Sequence, residues 1–319
     1  MHAHDHKHAH DHGGHDHAHA HVDPAKVTGR AFAISVALNG GFVAIELAAG
    51  VLAGSVALVA DAAHNLGDVL GLSFAWGAAR LAMRKPCDKW TYGFRRSTIL
   101  ASLVNAILLL VGVGAVTWEA IGRLRAPASP NTTPMIIVAA LGVLVNGGSA
   151  LLFLRGRKAD ANMRGAFLHL VADAAVSVGV VLASIVLRYT GWAWIDPVAS
   201  IAVSAVILAG TWSLLKDASS LALDGVPPGI ATREVKDFLG TLPNVREVHD
   251  LHIWALSTTE TALTGHLRMG PGTCSSSFLP DVTHQLEDRF GIGHTTLQLE
   301  PPDAPVAECG CAPVDSLSH

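Results

Sequence analysis

The sequence predicts an α-helical membrane protein with six transmembrane helices, followed by a small α+β domain at the C-terminal end. Three observations carry this expectation. Half of the 319 residues are apolar and only 15% are charged, giving a mean hydropathy of +0.39, too apolar for an ordinary soluble chain. Only 6% of residues are aromatic while glycines number 31, so the apolar content comes from small and aliphatic side chains, the composition of packed membrane helices. Finally, the chain changes character at about residue 217: 17 Lys and Arg stand against 12 Asp and Glu before that point, and 5 against 14 after it. The first part is therefore +5 and the last −9, and a shift of this size marks a domain boundary. A disordered chain, a basic nucleic-acid binder and a secreted disulfide scaffold are excluded. The four cysteines, two of them in Cys309-Gly310-Cys311, read as thiols of a reducing compartment.

Residues 1–30 form a polar, His-rich segment. Ten of the eighteen histidines lie within 1–21, interleaved with Asp, Ala and Gly and without apolar period, so this stretch is expected to be disordered until something binds it. The interruptions set it apart from the unbroken run of an engineered tag. No secretory apolar region is present, which predicts a cytoplasmic N-terminus.

Residues 31–216 supply the six apolar stretches, at approximately 31–53, 57–82, 98–120, 133–154, 163–187 and 195–215. At about 1.5 Å per residue, about 20 residues cross the roughly 30 Å of hydrocarbon in a bilayer. Basic residues orient them. The second connection carries Arg80, Arg84, Lys85, Lys89, Arg95 and Arg96, and the fourth carries Arg155, Arg157, Lys158 and Arg164, whereas the opposite connections hold only Arg123, Arg125 and Arg188. By the positive-inside rule both tails are cytoplasmic.

Residues 217–300 change to the periods of a folded soluble domain: a short helix near 230–240, strands at Val245–Leu256 and Glu260–Met269, a helix at Ser275–Phe290 and a strand at His294–Leu299. The order α-β-β-α-β predicts an open sheet with both helices on one face. Residues 301–319 read as a flexible tail carrying Cys309 and Cys311.

The chemistry lies in two membrane stretches. Asp61-Ala62-Ala63-His64-Asn65-Leu66-Gly67-Asp68 and His169-Leu170-Val171-Ala172-Asp173 each contain His-x-x-x-Asp. On a helix, i and i+4 share a face, so each motif presents an imidazole beside a carboxylate. A single Asp at membrane depth costs about 2.5–3.5 kcal/mol on insertion scales and needs a partner. Two imidazoles and two carboxylates suit a tetrahedral divalent ion, zinc first and cobalt or cadmium next; magnesium and calcium prefer oxygen alone. The competing reading is a pair of helix-packing hydrogen bonds without metal. Asp61 is either a residue on the way to the site or a polar neighbour. Asn39, Glu46, Asn105, Glu119 and Asn146 read as interhelical hydrogen-bonding groups.

With Gly54-Ser55-Val56-Ala57-Leu58-Val59-Ala60-Asp61-Ala62-Ala63-His64 leading to Asp68, Ala166-Phe167-Leu168-His169 leading to Asp173, Val248-His249-Asp250-Leu251-His252-Ile253-Trp254, and His294-Thr295-Thr296-Leu297-Gln298-Leu299-Glu300, the chain resembles the cation diffusion facilitator family, in its zinc-exporting, cobalt–zinc–cadmium resistance branch. The resemblance implies a transport site at His64, Asp68, His169 and Asp173, a ferredoxin-like, metallochaperone-like cytoplasmic domain, and a homodimer in the lipid bilayer. It further implies exchange of cytoplasmic Zn2+, or Cd2+ or Co2+, for external protons. It implies a charge pair between Arg96 and Asp224, and metal positions at His249 and His266, where Zn2+ would act as a regulatory ion. Cys309 and Cys311 are soft ligands able to complete a second site there. The loop site of some relatives needs histidines, and Cys87–Phe94 has none. Chain size and economy of loops point to a bacterial inner membrane, with an organelle membrane as the alternative, and neither an organic cofactor nor a nucleic-acid partner is expected. A membrane-anchored zinc sensor or buffer that does not transport is the alternative. The chain lacks His-Glu-x-x-His, Gly-x-Ser-x-Gly and Gly-x-x-x-x-Gly-Lys, so neither an enzyme nor an ATP-driven pump is expected.

Overall fold

The computed structural model describes residues 29–126, 128–153, 161–271 and 275–303. Six long helices come first: α1 Gly29–Ala53, α2 Val56–Ala82, α3 Ser97–Arg125, α4 Thr132–Phe153, α5 Ala161–Thr190 and α6 Ile195–Ala222. Each expected stretch is a helix, and the ends shift by a few residues. The largest extension is at α6, which runs through the compositional change at residue 217 to Ala222. Nothing in Lys216-Asp217-Ala218-Ser219-Ser220-Leu221 breaks a helix, since the segment has neither glycine nor proline.

Four of these helices are, over their described residues, long and apolar enough to cross a membrane: α3, α4, α5 and α6. Asn39–Ala53 of α1 is apolar but shorter. The 27 residues of α2 would span about 40 Å at 1.5 Å per residue. Its hydropathy is lowered by Asp61, His64, Asn65 and Asp68, the residues that carry the chemistry.

The helices share one core, in which Ala57, Leu58 and Ala60 of α2 meet Val113, Val116 and Ala120 of α3, Met135 and Ala139 of α4, Val180 of α5 and Val203 and Ile207 of α6. Large apolar side chains such as Leu52, Trp118, Leu144, Leu182 and Trp212 face outward. In water these would be a liability; against lipid they are the expected surface. Between α1 and α2 the chain turns at Gly54, whose φ of 71° only glycine adopts cheaply. Arg123 of α3 donates to the Gly54 carbonyl and pairs with Glu119 one turn earlier, satisfying the acceptor that the turn leaves free. The start of α2 is held from α6: Asp196 accepts hydrogen bonds from Ser55 Oγ at 2.6 Å, Val56 N at 2.8 Å and Ala57 N at 3.3 Å. A carboxylate on free first-turn amides is the favourable sign for the helix dipole.

The C-terminal domain is α7 Thr232–Gly240, β1 Val245–Ala255, β2 Thr261–Met269, α8 Phe278–Phe290 and β3 His294–Glu300. The strand order is β1-β2-β3, with β1 antiparallel and β3 parallel to β2. This is a ferredoxin-like α+β arrangement without a first strand. Val235 and Leu239 of α7, Val282 and Leu286 of α8, and Leu251, Leu263, Leu267 and Ile253 of the sheet form one core, so both helices cover one face as expected. Alternation then sends His266 and Arg268 of β2, and Gln298 and Glu300 of β3, to the other face. Gly291, at φ 67°, ends α8 in a left-handed cap. Two residues of α3's first turn region bind this domain: Arg95 pairs with Glu260 at 3.1 Å, and Thr98 Oγ1 accepts from Thr258 N at 3.1 Å. Arg96 pairs with Asp224, the contact that the family resemblance implied.

Candidate metal centre

On α2, His64 and Asp68 lie one turn apart, and α5 brings His169 and Asp173 opposite them. The cross-helix contacts are as short as those within each helix. His64 Nε2 lies 3.2 Å from Asp173 Oδ1 and 3.8 Å from Asp68 Oδ2, while His169 Nε2 lies 3.5 Å from Asp68 Oδ2 and 3.5 Å from Asp173 Oδ2. Each carboxylate thus touches both imidazoles. The rings sit edge to face with centroids 6.3 Å apart. Ligand atoms of His64, Asp68 and Asp173 all fall within 4.8 Å of one another, which one cation can bridge. Asp173 is buried, and the other three are partly covered. All four residues singled out from the sequence are brought together.

Two of the surrounding polar side chains are paired across helices. Ser177 of α5 donates to Asp61 Oδ2 at 3.0 Å, and Asn65 of α2 donates to Glu46 Oε2 of α1 at 2.8 Å. Asp61 thus ties α2 to α5 one turn before His64, and Glu46 ties α1 to α2. Close approach of α2 and α3 depends on glycine: a Cβ at Gly67 would lie 2.0 Å from Leu109 Cδ2, and one at Gly71 2.6 Å from Asn105 Nδ2.

A second cluster lies on the helix-free face of the C-terminal sheet. His249 and His266 are directly opposite one another in the β1–β2 register, with ring centroids 5.3 Å apart. Glu300 joins them, its Oε2 at 3.2 Å from His249 Nε2 and its Oε1 at 3.0 Å from His266 Nδ1. These close contacts leave His249 Nε2, His266 Nδ1 and Glu300 Oε2 buried without completed hydrogen bonds, and donors of this kind suit a cation. Asp250 stands at the rim, 3.7 Å from His266 Nε2 and 3.0 Å from His252 Nε2. Glu300 was not foreseen as a ligand, because it closes the last strand and its approach depends on the parallel pairing of β3 with β2. His284 is exposed on α8, away from this face. Cys309 and Cys311 lie outside the described residues, as do the N-terminal histidines.

A family model described as the cation efflux transmembrane domain matches residues 32–221, and another described as the cation efflux protein cytoplasmic domain matches residues 227–302. The chain belongs to the cation diffusion facilitator family of cation efflux proteins. Among its relatives, the metal cation efflux system protein CzcD of Cupriavidus metallidurans is 37% identical over 272 residues, covering 85% of this chain and 86% of that one. Zinc transporter ZitB of Escherichia coli is 36% identical over 279 residues, covering 87% and 89%. A cadmium, cobalt and zinc/H(+)-K(+) antiporter of Bacillus velezensis is 34% identical over 272 residues, covering 84% and 87%. A solved structure of the metal-bound C-terminal domain of the CzcD transporter from C. metallidurans is 35% identical and covers 22% of this chain and 99% of that one, with a TM-score of 0.21. As a member of the cation diffusion facilitator family the protein is a multi-pass membrane transporter of metal cations, not an enzyme. This displaces the alternative of an anchored sensor that does not transport.

Proposed function

We propose that the protein exports Zn2+, and with it Cd2+ or Co2+, from the cytoplasm in exchange for protons, at a site formed by His64, Asp68, His169 and Asp173. The observation that carries this reading is that two carboxylates, each within 3.8 Å of both imidazoles, join the only two His-x-x-x-Asp motifs of the membrane helices. Mixed nitrogen and oxygen donors favour zinc among the common divalent ions. The metal binds through neutral imidazole and ionised carboxylate, and protons compete for the same lone pairs, so one set of side chains can carry either load. Imidazole titrates near the pH of the cell, which suits it to that exchange. Release outward and reloading inward then require the site to face each side in turn.

The same reading places the protein as a homodimer in a bacterial inner membrane with both termini in the cytoplasm. There the N-terminal histidines would collect metal near the mouth of the pathway, raising its local concentration. His249, His266 and Glu300 would bind a second, regulatory Zn2+ in the cytoplasmic domain, with Cys309 and Cys311 as further candidate ligands.

The test is metal-dependent proton flux in proteoliposomes of the wild type, Asp68→Ala and Asp173→Ala, titrated with zinc, cadmium, cobalt and manganese. Zinc-driven flux lost in both variants is expected. Zinc binding by a wild type that moves neither metal nor protons would overturn the proposal.

A further inference from the structure

Beside His64 lies a cavity of about 120 Å3, lined by residues of α2, α3 and α6 and open on one side. Its wall is mostly hydrocarbon, including Leu70, Leu109 and Val113. Three of the residues that line it nevertheless carry a buried polar atom with no hydrogen-bond partner: His64 Nδ1 from α2, Asn105 Oδ1 from α3 and Ser204 Oγ from α6. Each unpaired buried group is costly on its own. Three around one cavity, each from a different helix, point to a shared partner.

The chemistry of the three atoms is complementary. His64 turns Nε2 toward Asp173 and Asp68, so Nε2 is the nitrogen available to a metal. A neutral ring that lends Nε2 to a metal keeps its proton on Nδ1, which is then a donor. The Asn105 carbonyl oxygen is an acceptor and the Ser204 hydroxyl is either. Water, which both donates and accepts, is the partner that all three groups can share. A cavity must offer about 10–15 Å3 of probe volume and two to four polar partners per water, and this one has room for several. The glycine face of α2 makes the arrangement possible, since any side chain at Gly71 would collide with Asn105.

We propose that this cavity is a hydrated pocket whose water holds His64 Nδ1 through Asn105 and Ser204. These two are positioning residues for the metal site: they fix the ring orientation that aims Nε2 at the ion, as outer partners of metal-bound histidines do. The proposal rests on the reading of His64 as a metal ligand.

Hydroxyl-radical labelling of the full-length protein in proteoliposomes, read by mass spectrometry, tests the hydration directly. Leu70 and Leu109 are expected to label several-fold faster than Leu58 and Val180, which are 0% exposed in the dry core. Ser204→Val, which fills the pocket without a hydroxyl, should bring them to the core rate. In zinc transport by the same vesicles, Ser204→Val and Asn105→Leu should each weaken apparent zinc affinity by about 10–100-fold, the range for outer partners of metal ligands. Ser204→Thr, which keeps the hydroxyl, should hold near the wild-type value. Labelling of Leu70 and Leu109 at the core rate in the wild type overturns the proposal, and so does equal loss in Ser204→Thr and Ser204→Val. Labelling reports hydration whether or not Asp68→Ala and Asp173→Ala lose flux, so a dry cavity and a failed transport site are separate results.

Discussion

Asp196 is 1% exposed and spends its carboxylate entirely on the first turn of α2. Replacing it with alanine removes the acceptor for Ser55 Oγ, Val56 N and Ala57 N at once. Ser55 keeps its own bond to Leu58 N and so still caps part of the turn. The two backbone amides have no such substitute, and a buried amide left unpaired costs about 1–3 kcal/mol. Adding loss of the charge-assisted bond from Ser55, the expected destabilisation of Asp196→Ala is about 3–5 kcal/mol. For a chain of this size that corresponds to a fall in apparent melting temperature of roughly 4–8 °C. Asp196→Asn keeps one acceptor oxygen, enough for Ser55 Oγ and Ala57 N, but turns a donor NH2 toward Val56 N and loses the charge at the helix end, so its fall should be smaller than that of Asp196→Ala. The assay is thermal inactivation of the detergent-solubilised protein, followed by size-exclusion chromatography of the surviving fold at a fixed heating rate, because membrane proteins of this kind unfold irreversibly. A double-mutant cycle with Ser55→Ala should show coupling, since the two side chains share one hydrogen bond. If Asp196→Ala melts within about 2 °C of the wild type, or if Asn and Ala are equally damaging, the capping argument is wrong.

At the α1–α2 contact, Gly50→Ala is expected to destabilise by about 1–3 kcal/mol, because its Cβ would meet the Val59 backbone nitrogen at 3.1 Å, whereas Gly112→Ala, with nothing within 4 Å, should be neutral or stabilising. The same thermal assay compares the two. In the cytoplasmic domain, zinc at a hundredfold excess over its dissociation constant should slow amide exchange in β1, β2 and β3 of the full-length protein by up to about 100-fold. His266→Ala should abolish that protection and Glu300→Gln should weaken it, while protection retained in His266→Ala would remove this cluster as the site. Deleting residues 2–21 should raise the zinc concentration needed for half-maximal transport without abolishing transport, as read in the proteoliposome assay. Complete loss of activity in correctly inserted protein would reject a metal-gathering role for these histidines.

Much of this was legible before any coordinates. Hydropathy located six helices because a lipid-crossing segment must be long and apolar, and the i, i+4 spacing put His64 beside Asp68 and His169 beside Asp173 because helix geometry is fixed. What sequence could not give was anything set by which segments become neighbours. Glu300 reaches His249 and His266 only because β3 lies parallel to β2 in a register that pairs Arg268 with Glu300 and His266 with Gln298. Asp196 stands at the start of the sixth apolar stretch with no motif around it, and its role depends on α6 starting where α2 starts, some 140 residues away in sequence. Glu46 read as a generic polar group of packed helices and Asn65 only as a residue between His64 and Asp68, and their partnership needed the packing of α1 on α2.

The helix that carries His64 and Asp68 of the proposed transport site is also one that hydropathy serves poorly. To present His64 and Asp68 at membrane depth, α2 accepts a polar load that keeps it below the apolarity of α3 to α6. Its stability therefore has to come from its neighbours, since in lipid an unpaired polar group has no water to turn to. Asp196 of α6 satisfies its first amides, Ser177 of α5 donates to Asp61, and Glu46 of α1 accepts from Asn65. Gly67 and Gly71 bring α3 close enough for contact without a side chain of their own. Every helix that touches α2 thus contributes something that α2 lacks. The face of His64 and Asp68 is left as the part whose charge is balanced by His169 and Asp173 of the opposite helix. An apolar substitution at Asp61 or Asn65 would strand Ser177 of α5 or Glu46 of α1, which is why the polar residues around the site are to be understood as one structure with it.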